Sequence, residues 1–147
     1  MSGMDETGNN QRFARVACVI GGVFDALMLP PMLIPRLGGK LFGLQAFAPG
    51  PDYRYAIHVA AALMLGWTLL LFWAARRPIE RAAVLPLTAI VVAGLMAAGL
   101  YAVYSGFLAL QKMFPIFILQ CGLIALFLTG YIKASQSQRR LRDNRGE

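Results

Sequence analysis

Four apolar stretches, each long enough to cross a lipid bilayer, occupy residues 16–34, 56–75, 82–104 and 113–132 of this 147-residue chain. At about 1.5 Å per helical residue, roughly 20 residues span a hydrocarbon core of about 30 Å. In lipid every backbone N–H and C=O must find its partner inside the protein, which leaves helices as the form such stretches can take. The fold class expected is therefore all-α integral membrane, an antiparallel four-transmembrane-helix bundle. Residues 14–134 form its single membrane domain, residues 1–13 are read as a disordered polar N-terminus, and residues 135–147 as a basic cytoplasmic tail.

Charge supplies an orientation. Lys and Arg number 14 against 7 Asp and Glu, a net charge of +7. A basic balance of this kind often marks a nucleic-acid partner, but here the cations cluster at span ends and in the tail, where they act as topology signals. One set of flanks holds Arg12, Arg15, Arg76, Arg77, Arg81, Lys133, Arg139, Arg140, Arg142 and Arg145. The opposite set holds Arg36, Lys40, Arg54 and Lys112. The richer set is expected in the cytoplasm, giving an N-in/C-in topology in a bacterial-type inner membrane. The expected partner is the lipid bilayer, with a homo-oligomer or a second membrane protein as the further kind of contact, and no nucleic acid.

The first outer loop is long and partly apolar. Leu37, Leu41 and Leu44 recur at helical spacing with Arg36 and Lys40 on a neighbouring face, which predicts a short amphipathic helix on the membrane surface. Pro49, Gly50 and Pro51 then break it before Tyr53 and Tyr55 anchor the second span. The loop reads as a connector or as a lid over a cavity. Ala46-Phe47-Ala48 resembles a signal-peptidase site, but Pro30, Pro31, Pro35, Arg36 and Lys40 separate it from the apolar run, so the first span is expected to stay uncleaved.

Asp25 is the residue most out of place. It lies near the middle of the first span, where an acid costs at least about 2.5–3.5 kcal/mol on insertion scales and should face the bundle interior or carry its proton. It is either a functional group that exchanges a proton, binds a cation or orients a substrate, or a structural group that hydrogen-bonds a neighbouring helix. Counting rise from the helix ends puts Asp25 and Gln120 each within about one turn of the mid-plane, so Gln120 is the expected hydrogen-bond partner. His58, the single histidine, lies roughly 10 Å nearer the outer surface and could join Tyr101 and other tyrosines in a polar outer layer. Thr68, Thr88 and Thr129 can each satisfy a hydroxyl on their own helix.

The combination of four helices and a lone acid in the first resembles the small multidrug transporters. The chain departs from them in having Asp where they have Glu, in its long outer loop and in its charge bias. Small DoxX-type bundles are similar in architecture. Both resemblances stop at helix count and a single residue, and no family follows from them.

Packing signals are denser than chemical ones. Gly94, Ala98 and Ala102 recur every four residues in the third span, beside a second series of Ala89, Ala93 and Ala97. Small residues at that spacing let helix backbones approach closely. Gly21 in the first span and Gly66 in the second belong to similar pairs with Ala17 and Ala62. The third helix is accordingly expected at the centre of the bundle, with self-association as the other use of its stripe. Pro30 and Pro31 should kink or end the first helix, and Pro86 could kink the third. Cys18 and Cys121 fall at depths too different for a disulfide. With no cofactor motif, metal-ligand spacing or nucleophile–base pair, the expected activity is not enzymatic. Two classes remain: an accessory or structural membrane protein acting by helix packing or partner contacts, and a small transporter or ligand-binding bundle that uses Asp25, Gln120, His58 and Tyr101.

Overall fold

The computed structural model describes residues 2–42 and 50–143; Leu44, the 46–48 segment and Arg145 lie outside the described residues. The described residues form five helices and no strand: α1 (Ser2–Leu33), α2 (Pro35–Phe42), α3 (Pro51–Arg76), α4 (Val84–Tyr104) and α5 (Leu110–Asp143). Four of them, all but α2, are long and apolar enough to cross a membrane. The chain is a multi-pass membrane protein built as a helical bundle.

Helix ends follow local chemistry. Gly50 is extended at the start of α3, Pro51 enters the first turn, where its missing N–H costs nothing, and Asp52 complements the positive end of the dipole. Pro86 is the third residue of α4, so no interior hydrogen bond is lost there and the kink considered at this position has no cause. Pro30 and Pro31 lie inside α1, which ends within one turn of them as Ile34 N–H donates to the Pro30 carbonyl at 2.9 Å. Lacking N–H groups, the two prolines leave the Ala26 and Leu27 carbonyls without their usual helical donors.

The segment expected to be disordered continues α1 back to Ser2. Two tertiary ties reach this part of α1: Asn10 Nδ2 donates to Ser137 Oγ at 3.4 Å, and the Lys133 ammonium stands 4.1 Å from the centre of the Phe13 ring. α1 and α5 support each other there.

The order of packing differs from expectation. α1 packs along both α3 and α5, and α4 packs along α5, while α3 and α4 touch only sparsely although the 77–83 turn joins them. The central helices are thus α1 and α5, and α4 is peripheral. The register is fixed by close approaches. Gly21 of α1 meets Phe127 of α5 and Leu71 of α3, and Gly130 of α5 meets Ala17 of α1 and Leu85 of α4. Gly99 of α4 meets Met113 and Phe117 of α5. The core cluster of Ala14, Ala17, Cys18, Leu71, Ala74, Leu85, Ala89, Val92, Phe127 and Ala134 gathers toward the end that carries the 77–83 turn.

α2 turns back on the end of α1. A Cβ on Gly38 would lie 2.7 Å from the Pro31 carbonyl oxygen, a backbone atom that cannot swing aside. Gly38→Ala is therefore expected to push α2 off this corner at a cost of about 1–3 kcal/mol. Hydrogen exchange at the Leu37 and Gly38 amides, both bonded to the Ile34 carbonyl, should accelerate while exchange in α3 stays constant. Unchanged exchange at both amides would show that the corner accommodates the methyl group.

Candidate functional site

Asp25 continues the inward face of α1. It lies one turn beyond Gly21 and Gly22, both buried, on the face that also carries Ala14, Ala17 and Cys18. It is partly buried, and among the described residues no donor or cation pairs with its carboxylate. Gln120 likewise occupies the inward face of α5, two turns before Phe127. Its Oε1 is buried and has no hydrogen-bond partner among the described residues. Extending the register set by Ala17–Gly130 and Gly21–Phe127 brings Asp25 level with Leu123, with Gln120 about one turn, roughly 5 Å, further on. The expected Asp25–Gln120 hydrogen bond is not formed. The two stand as separate polar groups on facing helices, in the half of the bundle away from the core cluster.

His58 and Tyr101 do not join them. His58 is exposed and its Nδ1 bonds the Arg54 carbonyl of its own helix, while Tyr101 is 72% exposed at the end of α4. Thr68, Thr88 and Thr129 each donate to the carbonyl four residues back, at 2.9, 2.7 and 2.8 Å. Thr88 also accepts from Trp67 Nε1 at 3.3 Å, a polar tie between α3 and α4 that the sequence did not suggest.

The small-residue positions separate into two groups. Gly21 is buried against Phe127 and Leu71, close enough that no larger residue fits beside them. Gly94, Ala98 and Gly66 are exposed, Ala102 is partly exposed, and a Cβ at Gly94 or Gly66 would meet nothing within 4 Å. Within the chain, α4 packs instead through Thr88, Ala89, Val92 and Gly99. Cys18 is buried in the core, and exposed Cys121 places its Sγ 4.0 Å from Met96 Sδ. No group of three or more His, Cys, Asp or Glu suited to a metal occurs among the described residues.

The end bearing the 77–83 turn is strongly basic. Arg15 Nε donates to the Ala75 carbonyl at 3.2 Å, satisfying one of the orphan acceptors at the end of α3. Arg81 stacks 3.4 Å from the centre of the Trp73 ring and donates to the Trp73 carbonyl, while Arg77 pairs with Glu80 at 3.2 Å. Gln138 of α5 donates to the Ile79 carbonyl and holds the turn against the end of α5. An eight-residue separation across a turn gives the Arg81–Trp73 contact no signature in the sequence.

Comparison with protein-family models, with curated proteins and with solved structures finds no match for this chain.

Proposed function

We propose that the chain is an accessory or structural protein of a bacterial-type inner membrane, an antiparallel bundle with both termini in the cytoplasm, acting through helix packing and partner contacts. The register supports the antiparallel arrangement: positions advance along α1 as their partners recede along α5, from Ala17–Gly130 to Gly21–Phe127. The concentration of Arg and Lys at the end holding the 77–83 turn supports the orientation. The observation that carries the functional reading is the outward face of α4. Ala93, Gly94, Ala97 and Ala98 are exposed together, a Cβ added at Gly94 would meet nothing within 4 Å, and the described helices leave this close-approach surface unused.

The test is a photo-crosslinking residue at position 97 in intact membranes. A protein adduct of defined mass, lost in Gly94→Leu and absent with the crosslinker at outward-facing Val59, is the expected outcome. Adducts to lipid alone at position 97 would count against a packing role for this face.

A second reading, a small transporter or ligand-binding bundle, is favoured by the two unpartnered polar groups, Asp25 and Gln120. Its candidate lining reduces to this pair, because His58 and Tyr101 face outward.

A further inference from the structure

The seam between α1 and α3 carries more positive charge at its basic end than the described residues neutralise. Gly22 packs against the Phe72 ring, 3.2 Å from where a Cβ would sit, which identifies the two helix edges that meet. Arg15 lies two turns back from Gly22 on the α1 edge, and Arg76 one turn on from Phe72 on the α3 edge. The Arg15–Ala75 hydrogen bond closes the seam between them. Arg12, one turn before Arg15, adds a third guanidinium.

Arg12 and Arg76 are exposed, and neither has a partner among the described residues; Arg15 commits only its Nε. Glu80, the acid of the adjacent turn, is already paired with Arg77. Three guanidiniums with no counter-ion among the described residues repel one another, and their remaining N–H groups suit the oxygens of a phosphate. Toward the membrane centre the same seam becomes apolar and exposed, through Val19, Val23, Leu69 and Phe72. A cationic cluster running directly into an exposed apolar strip matches an anionic headgroup joined to an acyl chain. Free phosphate would answer only the cationic part.

We infer that the α1–α3 seam is a binding site for an anionic phospholipid, its phosphate held by Arg12, Arg15 and Arg76 and an acyl chain lying along Val19 and Phe72. The site depends on the helices crossing a membrane and not on the accessory or transport reading. It places a lipid against the two helices whose contact organises the core, so lipid binding stabilises the fold.

The experiment is thermal unfolding of the full chain in detergent with added phosphatidylglycerol, phosphatidylcholine or inorganic phosphate. It is repeated for Arg12→Gln/Arg76→Gln and for the charge-matched control Arg36→Gln/Lys40→Gln at the other end. Phosphatidylglycerol should raise the melting temperature of the parent and the control by several degrees more than phosphatidylcholine does, and the excess should vanish in the seam variant. An equal response to the two lipids would overturn the site. So would an excess retained in the seam variant, lost equally in the control, or reproduced by phosphate alone. Should the seam variant fail to express, brominated lipids on the parent give the same decision through Trp73, one turn from Arg76. Stronger quenching by brominated phosphatidylglycerol than by brominated phosphatidylcholine supports the site, and equal quenching overturns it.

Discussion

Asp25→Leu is expected to unfold at a higher temperature than the parent in detergent at neutral pH, with Asp25→Asn at or above the parent. The Asp25 carboxylate is partly buried on the inward face of α1, and no described residue donates to it. Removing it therefore orphans no partner, which is the circumstance that makes most polar deletions costly. What is removed is the penalty of an acid at mid-span, at least about 2.5–3.5 kcal/mol on insertion scales, so the gain approaches that size where leucine packs without strain. A structural carboxyl that joined α1 to α5 would behave in the opposite way, and both variants would melt several degrees lower. That result would sink the view that the fold does not need Asp25. A stabilised Asp25→Leu protein would show that the fold does not need the acid, and would leave the second reading, a ligand-binding use of Asp25, to be decided by direct assay. Ligand and proton-uptake assays comparing parent with Asp25→Asn would then be the informative ones.

The elements of the fold were legible because lipid allows few alternatives. A run such as 82–104 has to be helical in a bilayer whatever its local propensities, and the structure has α4 over Val84–Tyr104. Leu37 and Leu41 beside Arg36 and Lys40 announced α2 through spacing alone, and the helix Pro35–Phe42 is present. The arrangement of the elements was not legible, for a specific reason. α4 is apolar on every side, so its hydrophobic pattern does not say which face is inward. Small residues at four-residue spacing mark where close approach is allowed and leave open what approaches. Gly94 and Ala98 were open to two readings, a buried seam or a self-association stripe, and within the chain α4 packs through Thr88, Val92 and Gly99 on another face. The polar run that precedes Arg12 lies in α1, and its Asn10 meets Ser137 of α5, a contact across 127 residues that composition does not reveal. Counting rise put Asp25 and Gln120 each near the mid-plane but could not give the register between α1 and α5, which Gly21–Phe127 and Ala17–Gly130 set. The basic residues were read as topology markers, and only the packing of Gly22 on Phe72 gathers three of them onto one seam.

Phe127→Ala should cause the largest loss of stability of any substitution considered. Phe127 is 1% exposed and is the largest of the fully buried side chains. Its ring fills the junction where α1, α3 and α5 meet, against the backbone at Gly21 and close to Leu71. Truncating such a residue typically costs about 3–5 kcal/mol, part of it transfer energy and part the cavity left behind. In a membrane protein the lost contacts with neighbouring atoms weigh most, because lipid is as apolar as the vacated site. Gly21 shows how tight the junction is. A Cβ there would sit 2.5 Å from Phe127 Cζ and 2.9 Å from Cε1, and a fully buried ring has no room to move away. Gly21→Ala alone should cost about 1–3 kcal/mol through overpacking. In the Phe127→Ala background the obstructing ring is gone, so the same methyl group should cost almost nothing or partly refill the cavity. The two substitutions must then couple, by about 0.5–3 kcal/mol and in the sense that the double variant is more stable than the sum of the single effects predicts. Thermal unfolding of the four proteins in one detergent measures this coupling. Strict additivity would mean that Gly21 and Phe127 do not share a junction, and with it the register that puts α1 and α5 at the centre of the bundle would fall.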